Sequence, residues 1–556
     1  MFFGTYPGRD PGQTNTYNFY GLNRCRRGSK GEMSDMKNMG TLEYPCAAPR
    51  GKRRTVVNYA YNINAAVAPD STNVDTVTGL TGIMSGAFLY NGAEKSGDNE
   101  LPSDYSWEIV RLGNLYIING YKAESGGGSS LMYYYNIDTD KFGVAGDDKM
   151  MGDLIVAAGV DENGSYLSTF RYGFSNVYDY SCTNDDGTVT IDNADFFDKY
   201  GNPVIDEPNI FEQIFSVGEE VQISGFPSRE ENFGQLWTYQ GSSETVIPQL
   251  QQGFEGNNTI DTDLLPTIDD LGKWDITNAY VKGFELERVD IGGSTAYIHK
   301  IYLRLVNRYG EEIDFIEMID DTASVYCSGV TLSRRRRIFD HIAVHNGRLW
   351  GSIPTGNRIY ISNSNDYFDF TPASVTERFA GRIESDTPGT FKALAEYGSE
   401  LVAFKEDSIS VIYGSGISEY STSVIPGIGC IDPRSIVPTP SGIIFLSYNG
   451  FYIFTGNVPS TISYKLNTKY KSAVCGYDGN IYYASAVREK DGVRELICYD
   501  MRHAVWHIQD DLEAVGFFRF RSKFFIAGKN SIYETDADTG DDFEWSFTSV
   551  LTHDNT

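Results

Sequence analysis

Five segments in the second half of the chain repeat one order: a polar turn, an apolar strand, then a second strand rich in aromatics. They read His345-Asn346-Gly347-Arg348-Leu349-Trp350, Tyr397-Gly398-Ser399-Glu400-Leu401-Val402-Ala403-Phe404, Ser441-Gly442-Ile443-Ile444-Phe445-Leu446, Asp478-Gly479-Asn480-Ile481-Tyr482-Tyr483 and Arg521-Ser522-Lys523-Phe524-Phe525-Ile526. The anchors Leu349, Leu401, Ile444, Ile481 and Phe524 stand 52, 43, 37 and 43 residues apart. A unit of about four strands recurring every 40–50 residues or so is the signature of a β-propeller blade. The expected fold class is all-β: a propeller of six to eight blades. Such a scaffold takes its function from what is inserted in it and from what it assembles with.

The length of 556 residues suits a propeller with additions. With 38 Tyr, 32 Phe and 57 Gly, the composition favours strands and tight turns. No run of about 18 apolar residues is present, so no membrane-spanning helix is expected. The start, Met1-Phe2-Phe3-Gly4-Thr5-Tyr6-Pro7, lacks the basic and apolar order of a signal peptide. The seven cysteines, at 25, 46, 182, 327, 430, 475 and 498, are odd in number and form no CxxC. They read as free thiols of a reducing cytoplasm, with a Cys25–Cys46 bridge as the alternative. A net charge of −29 argues against a protein that clamps nucleic acid through its phosphates.

The charge is unevenly placed. Residues 1–54 hold ten Lys or Arg and four Asp or Glu, about +6, which leaves about −35 on the rest. This segment, with Arg24, Arg26, Arg27, Lys30 and then Arg50-Gly51-Lys52-Arg53-Arg54, reads as an extended basic arm; a solvated tail is the bland alternative. Residues 55–150 return to blade-like strands, at Ile83–Tyr90 and Leu112–Gly120, with a hairpin from Met132 to Val144 around Asp138-Thr139-Asp140. The beat then lapses. Residues 151–335 contain a turn at Thr183–Gly187, a short helix at Asn193–Phe197, a tight strand passage at Phe215–Gly225 and long strands at Ala279–Arg288, Thr295–Val306 and Glu312–Met318. They read as a β-rich domain inserted into the propeller, whose remaining blades and C-terminal tail follow over 336–556. Arg334-Arg335-Arg336-Arg337 stands at its exit, either as a solvated hinge or as a contact with an acidic neighbouring subunit or with a phosphate backbone. On a strand, at most two of the four face one partner.

No nucleophile elbow, P-loop or dinucleotide fingerprint is present. The glycine-rich run Ser125–Ser130 reads as a flexible loop. His341 and His345, like His503 and His507, have a spacing of four but no accompanying ligand motif, and read as blade-edge residues rather than metal ligands. Asp161-Glu162-Asn163-Gly164 lacks the acidic last ligand of a calcium loop and reads as a turn. Paired acids such as Asp185-Asp186, Asp269-Asp270, Asp320-Asp321 and Asp510-Asp511 are too common among 75 acidic residues to mark a glycosidase centre. No catalytic residue, cofactor or metal is expected.

Three groups of residues carry a resemblance. The first is Phe339–Gly351, then Asn357-Arg358-Ile359-Tyr360-Ile361-Ser362, then Leu401–Ile409 with Ile412-Tyr413-Gly414. The second is the opening Gly21-Leu22-Asn23, Asp35–Met39, Tyr44-Pro45 and Pro49–Arg53, and the third is the inserted Phe215–Gly225. Together they are similar to the β-propeller virion proteins of phage tail nozzles and hubs, the short-tailed type with its crAss-like relatives. The long polar stretch 226–275 has no counterpart. The resemblance implies a non-enzymatic structural protein of the virion tail, made in the bacterial cytoplasm. It implies a hexameric ring below the portal and adaptor, with DNA only in transit and no stable membrane insertion. On this reading Arg50, Lys52, Arg53, Arg54 and Arg334, Arg335, Arg336 and Arg337 are assembly contacts, and the first four are dispensable for folding. The alternative is a glycan-binding or glycan-hydrolysing propeller with carboxylates or aromatics in a central pocket.

Overall fold

The computed structural model describes residues 19–25, 29, 31–124, 128–145, 149–160, 166–172, 209, 211–212, 215–224, 238–240, 276–291, 294–307, 324–334, 337–354, 356–364, 366–371, 380–385, 387–416 and 419–549. The chain divides into two units, one of residues 1–143, 338–360 and 382–556, the other of 144–337 and 361–381.

The first unit is built on seven four-stranded antiparallel sheets among the described residues, each of the size and order of a propeller blade. Sheet 1 runs Ile63–Ala66, Gly82–Met84, Ala87–Tyr90, Ala93–Glu94; sheet 2 runs Ser106–Leu112, Leu115–Lys122, Ser129–Asn136, Lys141–Val144. Sheet 3 follows at His341–His345, Arg348–Ser352, Arg358–Ile361, Gly381–Glu384, and sheet 4 at Phe391–Tyr397, Glu400–Lys405, Ser408–Tyr413, Ser421–Pro426. Sheet 5 comprises Val437–Thr439, Gly442–Ser447, Gly450–Phe454, Ser460–Thr461, and sheet 6 Tyr470–Tyr477, Ile481–Arg488, Arg494–Asp500, Val505–Ile508. Sheet 7 has three consecutive strands, Ala514–Phe520, Lys523–Gly528 and Ser531–Glu534. Its fourth is Arg54–Asn58 from the other end of the chain.

The five sequence anchors all fall on the second strand of a sheet. The polar turn ahead of each is the hairpin that delivers it. In sheet 3, His345 pairs with Arg348 across Asn346-Gly347, whose φ values of 50° and 68° are left-handed. A two-residue hairpin with both φ positive matches strand twist, and Asn-Gly adopts it at least cost. Second strands are buried on both faces, which explains their continuous apolar runs: Leu401, Val402, Ala403 and Phe404 are all fully buried.

The core lies between neighbouring sheets. Val402, Phe404 and Ile409 of sheet 4 pack on Ile443, Phe445 and Phe454 of sheet 5. Ile481, Tyr483 and Leu496 of sheet 6 meet Phe524 and Ile526 of sheet 7. Phe518, Phe525 and Ile532 of sheet 7 meet Ile63 on the first strand of sheet 1 and Leu80 just ahead of its second strand. First strands of successive sheets touch in chain order, and that of sheet 7 touches that of sheet 1.

The arm is docked rather than solvated. From Phe19 onward it runs over sheets 5 and 6, burying Phe19, Leu22, Met33, Met36 and Met39 against Ile444, Tyr470, Tyr482 and Trp506. The Met33–Lys37 strand also pairs with Ser546–Ser549 near the other end of the chain. Arg54 begins a strand of sheet 7, so the expected boundary at 54 cuts an element.

The second unit is one antiparallel sheet. Its strands are ordered Lys149–Val160, Tyr166–Tyr172, Ser294–Asn307, Ile276–Ile291, Glu220–Ser224, Ser324–Arg334 and Thr238–Gln240. Ser324–Arg334 also pairs with Lys149–Val160, so the pairings run in a closed circuit. The expected long strands at 279–288 and 295–306 form its largest hairpin. The turn at 183–187, the helix at 193–197, the strand at 312–318 and the stretch 226–237 and 241–275 lie outside the described residues. None of the described helices is long and apolar enough to cross a membrane.

Trp350 is fully buried on the second strand of sheet 3, where its Nε1 donates to the His345 carbonyl at 3.0 Å and its ring meets Tyr420 edge-on at 5.0 Å. Trp350→Ala is expected to lower unfolding free energy by about 3–5 kcal/mol. Urea titration checks this. A loss below about 1 kcal/mol would mean that this inter-sheet layer is not close-packed.

Candidate functional site: the joined chain ends and the arginine clusters

The expected assembly arginines divide sharply by surroundings. Arg53 is buried, its Nη1 donating to Asp510 Oδ2 at 2.6 Å and its Nη2 to Gln509 Oε1 at 2.9 Å. Arg50 is buried beside it, with Nε donating to Asn38 Oδ1 at 3.0 Å and the guanidinium 4.0 Å over the Phe543 ring. Gly540 and Gly51 let the strands approach: a Cβ on Gly51 would meet Asp536, and one on Gly540 the Arg53 backbone. Lys52 and Arg54 are half-exposed and pair with Asp542 and Glu534. Arg53 therefore binds the link between sheets 6 and 7, and Arg50 binds the arm itself and covers Phe543 of the C-terminal segment. Their neutralisation is expected to cost stability, contrary to the reading from sequence, because it strands the partly buried Asp510.

Further ties run along the arm. Arg24 grips Glu495 with two bonds, at 2.7 and 3.1 Å, while Lys465 reaches Glu32 at 2.8 Å. Thr41 Oγ1 donates to the buried Asp500 at 2.7 Å, and the Asp500 carboxyl is held low: Arg502 and Thr41 outweigh burial, which acts the other way. Composition could not separate these internal pairs from a surface patch.

Arg334 sits at the heart of the second unit. Its Nε and Nη2 donate to the two Glu219 oxygens at 2.8 and 2.9 Å, and its Nη1 and Nη2 bind Asp366, Nη1 at 3.2 Å. All three side chains are buried. Asp369, also buried, lies beside them, and its Oδ2 accepts from Asn363 Nδ2 at 3.2 Å. Arg334 is thus a buried cation paired within its own unit rather than a solvated hinge residue. Arg335 and Arg336 lie outside the described residues, and Arg337 is half-buried. One cation faces three buried carboxyl groups. Burial pushes Glu219 up to about 8, and the neighbouring Asp369 and Asp366 add to this while Arg334 opposes it. Burial and Asp366 likewise raise Asp369.

His507 lies on Val505–Ile508, the outer strand of sheet 6, and His503 in the turn ahead of it. His341 and His345 instead lie on the first strand of sheet 3, not on an outer edge. His341 Nδ1 meets Glu108 Oε1 of sheet 2 at 2.6 Å, and Glu108 Oε2 accepts from Ile342 N at 2.8 Å. Burial lowers the His341 pKa, but Glu108 and Asp340 outweigh it and the net shift is upward, with Lys392 opposing. His345 Nδ1 lies 3.0 Å from Glu396 of sheet 4. These residues join successive sheets. His503 stacks on Tyr44 with centroids 4.0 Å apart, and His507 is fully buried, its pKa pushed down to about 4 by burial. The described residues contain no cluster of metal-ligating side chains. Cys25 and Cys46 are free thiols, so the bridge alternative falls; Cys430, Cys475 and Cys498 are free as well. Residues 125–127, 161–164, 185–186, 269–270 and 320–321 lie outside the described set.

No family model matches the chain, and no curated protein does. Among solved structures, the β-propeller domain of the Trilobed protease from Pyrococcus furiosus is similar at 10% identity and TM-score 0.19, over 81% of this chain and 99% of that one. The Pyrococcus horikoshii acylaminoacyl peptidase is similar at 10% identity and TM-score 0.18, over 80% of this chain and 52% of that one. The NanB sialidase of Streptococcus pneumoniae is similar at 8% identity and TM-score 0.21, over 77% and 67%. This is a weak likeness to β-propeller proteins, in fold alone.

Two outcomes follow from the buried charges. Arg53→Gln is expected to destabilise the first unit by about 3 kcal/mol, because the partly buried Asp510 loses its close cation and keeps only Arg50 at 3.8 Å; a denaturant midpoint at the wild-type value would rule this out. In the second unit, Glu219 and Asp369 have folded pKa values above their unfolded ones. The Glu219 contribution to stability is therefore full below its ordinary value of 4.5 and is lost as pH rises towards about 8, and that of Asp369 is likewise lost as pH rises above its ordinary value. Hydrogen-exchange protection of the 220–224 and 324–334 strands, corrected for intrinsic rate, should fall over that range. Asp369→Asn should flatten the dependence.

Proposed function

We propose that the seven sheets close into one propeller of seven blades and that the chain is a structural subunit of a phage tail, part of a nozzle or hub ring below the portal and adaptor. The observation that carries this reading is the double joining of the chain ends. Arg54–Asn58 completes sheet 7, and Met33–Lys37 pairs with Ser546–Ser549. A ring closed by its own first strand leaves no blade free to peel away, which suits a part that must hold shape under load. The circuit of touching first strands supports closure. The resemblance in Phe339–Gly351, the arm and Phe215–Gly225 supports the tail assignment.

On this reading six copies close a tube by heterologous contacts, and the second unit, inserted in sequence between sheets 2 and 3, is the part that varies the assembly. The −29 charge keeps passing DNA from being held, since each phosphate contact would add a salt-dependent well. No chemistry is assigned. Because Arg50, Arg53 and Arg334 are occupied internally, subunit contacts fall to exposed groups such as Lys52 and Arg54.

One feature favours a second reading, glycan binding. An open hollow of about 490 Å³ on sheet 1 is lined by Tyr61, Glu94, Asp98, Asn99 and Glu100, and Tyr61 is 62% exposed. An exposed ring beside carboxylates and an amide is a surface on which a sugar can stack and bond.

Negative-stain imaging with sedimentation separates the two. Six-fold rings, formed alone or with the adaptor, and no duplex-DNA binding by anisotropy at about 150 mM salt are the expected results. A stable monomer that binds or cleaves a glycan, with Tyr61→Ala abolishing it, would replace the tail reading.

A further inference from the structure

His507, on the outer strand of sheet 6, is fully buried, and among the described residues neither of its ring nitrogens has a hydrogen-bond partner. A neutral imidazole always carries one N–H and one lone pair. An interior that offers both nothing leaves their desolvation uncompensated. Buried polar groups without a partner are rare in native proteins, and a bound ion is one of the few things that accounts for one.

The residue opposite is a thiol. Cys498 pairs in register with His507 across Arg494–Asp500 and Val505–Ile508. Directly opposed residues point to the same face of a sheet. That face is the layer between sheets 6 and 7, where Leu496 and Cys498 pack with Tyr483, Phe524 and Ile526. The alternate residues Ile497, Trp506 and Ile508 pack on the other side. Cys498 is free and fully buried. Opposed Cβ atoms stand about 4.5–5.5 Å apart. A metal bonded to sulfur at about 2.3 Å and to nitrogen at about 2.0 Å spans about 4 Å, so the two side chains can hold one ion between them.

We infer that Cys498 and His507 form a two-coordinate site for a soft monovalent metal ion of the Cu(I) class. Ligand number argues for this class, since the described residues bring no third metal-ligating side chain to the pair and zinc takes four ligands. Softness agrees, because thiolate selects Cu(I) and imidazole suits copper. Charge decides between valences. One thiolate, one neutral imidazole and a monovalent ion sum to zero, whereas a divalent ion would leave a net charge in an apolar layer. Asp510 and Arg53, close enough to act on the thiol, are already paired with each other. On binding, the S–H bond breaks, an S–metal bond forms, the imidazole donates its lone pair and the proton leaves to water; no electron is transferred. Burial keeps His507 neutral, with its lone pair free. Burial also holds the Cys498 thiol protonated, so affinity rises with pH as the ion displaces that proton. The arm docks on this strand, with Leu22 N donating to the Trp506 carbonyl at 2.7 Å. A bound ion pins the docking strand to its neighbour, whatever the chain assembles into.

Anaerobic titration of the full chain with Cu(I), in competition with a chromogenic Cu(I) chelator, tests the site in wild type, Cys498→Ala and His507→Leu. The other thiols are common to all three, so the difference between them reports this pair. Each variant is expected to hold one ion per chain at least ~10-fold more weakly than wild type. Hydrogen exchange places the ion: loading should raise protection of 494–500 and 505–508 in wild type and in neither variant. A wild-type chain that holds Cu(I) no more tightly than His507→Leu, or loading that leaves those two strands unprotected, overturns the proposal. If Cys498→Ala fails to fold, His507→Leu decides. An apolar side chain in place of an unpartnered buried imidazole is expected to keep or raise the melting temperature of the metal-free chain. Six-fold rings that form equally in His507→Leu leave the tail reading standing whatever becomes of this site.

Discussion

The pairing of Arg54–Asn58 with Ser531–Glu534 is the contact on which the first unit depends. Seven sheets in sequence bury the faces between neighbours, but the first and last would each leave one face bare. The N-terminal strand cannot complete sheet 7 unless sheet 7 already stands beside sheet 1. Val56 and Val57 pack there with Ile63, Phe518 and Ile532, so the backbone ladder and the apolar layer close together. The cost is loop-closure entropy over nearly the whole chain, which grows only logarithmically with length. Many non-local pairings of this kind make for slow folding.

Around that strand the molecule adds bonds of increasing specificity. The methionines of the arm fill irregular space over sheet 6, where an unbranched, polarisable side chain suits the gap. Arg53 and Arg50 then fix the register of the arm by directional bonds to Asp510, between sheets 6 and 7, and to Asn38. Such buried ions add little net stability against an apolar alternative, yet they penalise any misplaced register, since a shifted chain leaves a charge unpaired. The second unit uses the same device at Arg334, with two carboxyl groups more than its single charge balances.

Edges show the complementary constraint. Short strands, charges and the docked arm protect most outer strands, and the arm covers the uncharged Val505–Ile508. A positively charged segment in a strongly acidic chain thus acts largely as intramolecular cover. Among the described residues, Arg24, Lys52, Arg53 and Arg54 find carboxylates within the same chain, and the apolar groups of the segment find the sheet.

The sequence by itself determined the local units. The spacing of Leu349, Leu401, Ile444, Ile481 and Phe524 marked second strands because burial on both faces demands continuous apolar runs, and turn residues such as Asn346-Gly347 marked the hairpins before them. Periodicity also found the Ile276–Ile291 and Ser294–Asn307 hairpin. Tertiary structure alone decided which charges are solvated. Arg53 and Lys52 are adjacent in the chain, yet one is buried on Asp510 and the other half-exposed, because strand alternation and an approach from hundreds of residues away set their surroundings. It also decided that Met33, Met36 and Met39 form core, since an extended segment that docks on a distant sheet has no regular period to reveal its buried face. The strand Ser324–Arg334 was hidden for a related reason. Its mixed polar sequence lacks a clean alternation, and its role comes from pairing with Lys149–Val160 and Glu220–Ser224, partners no local pattern could name.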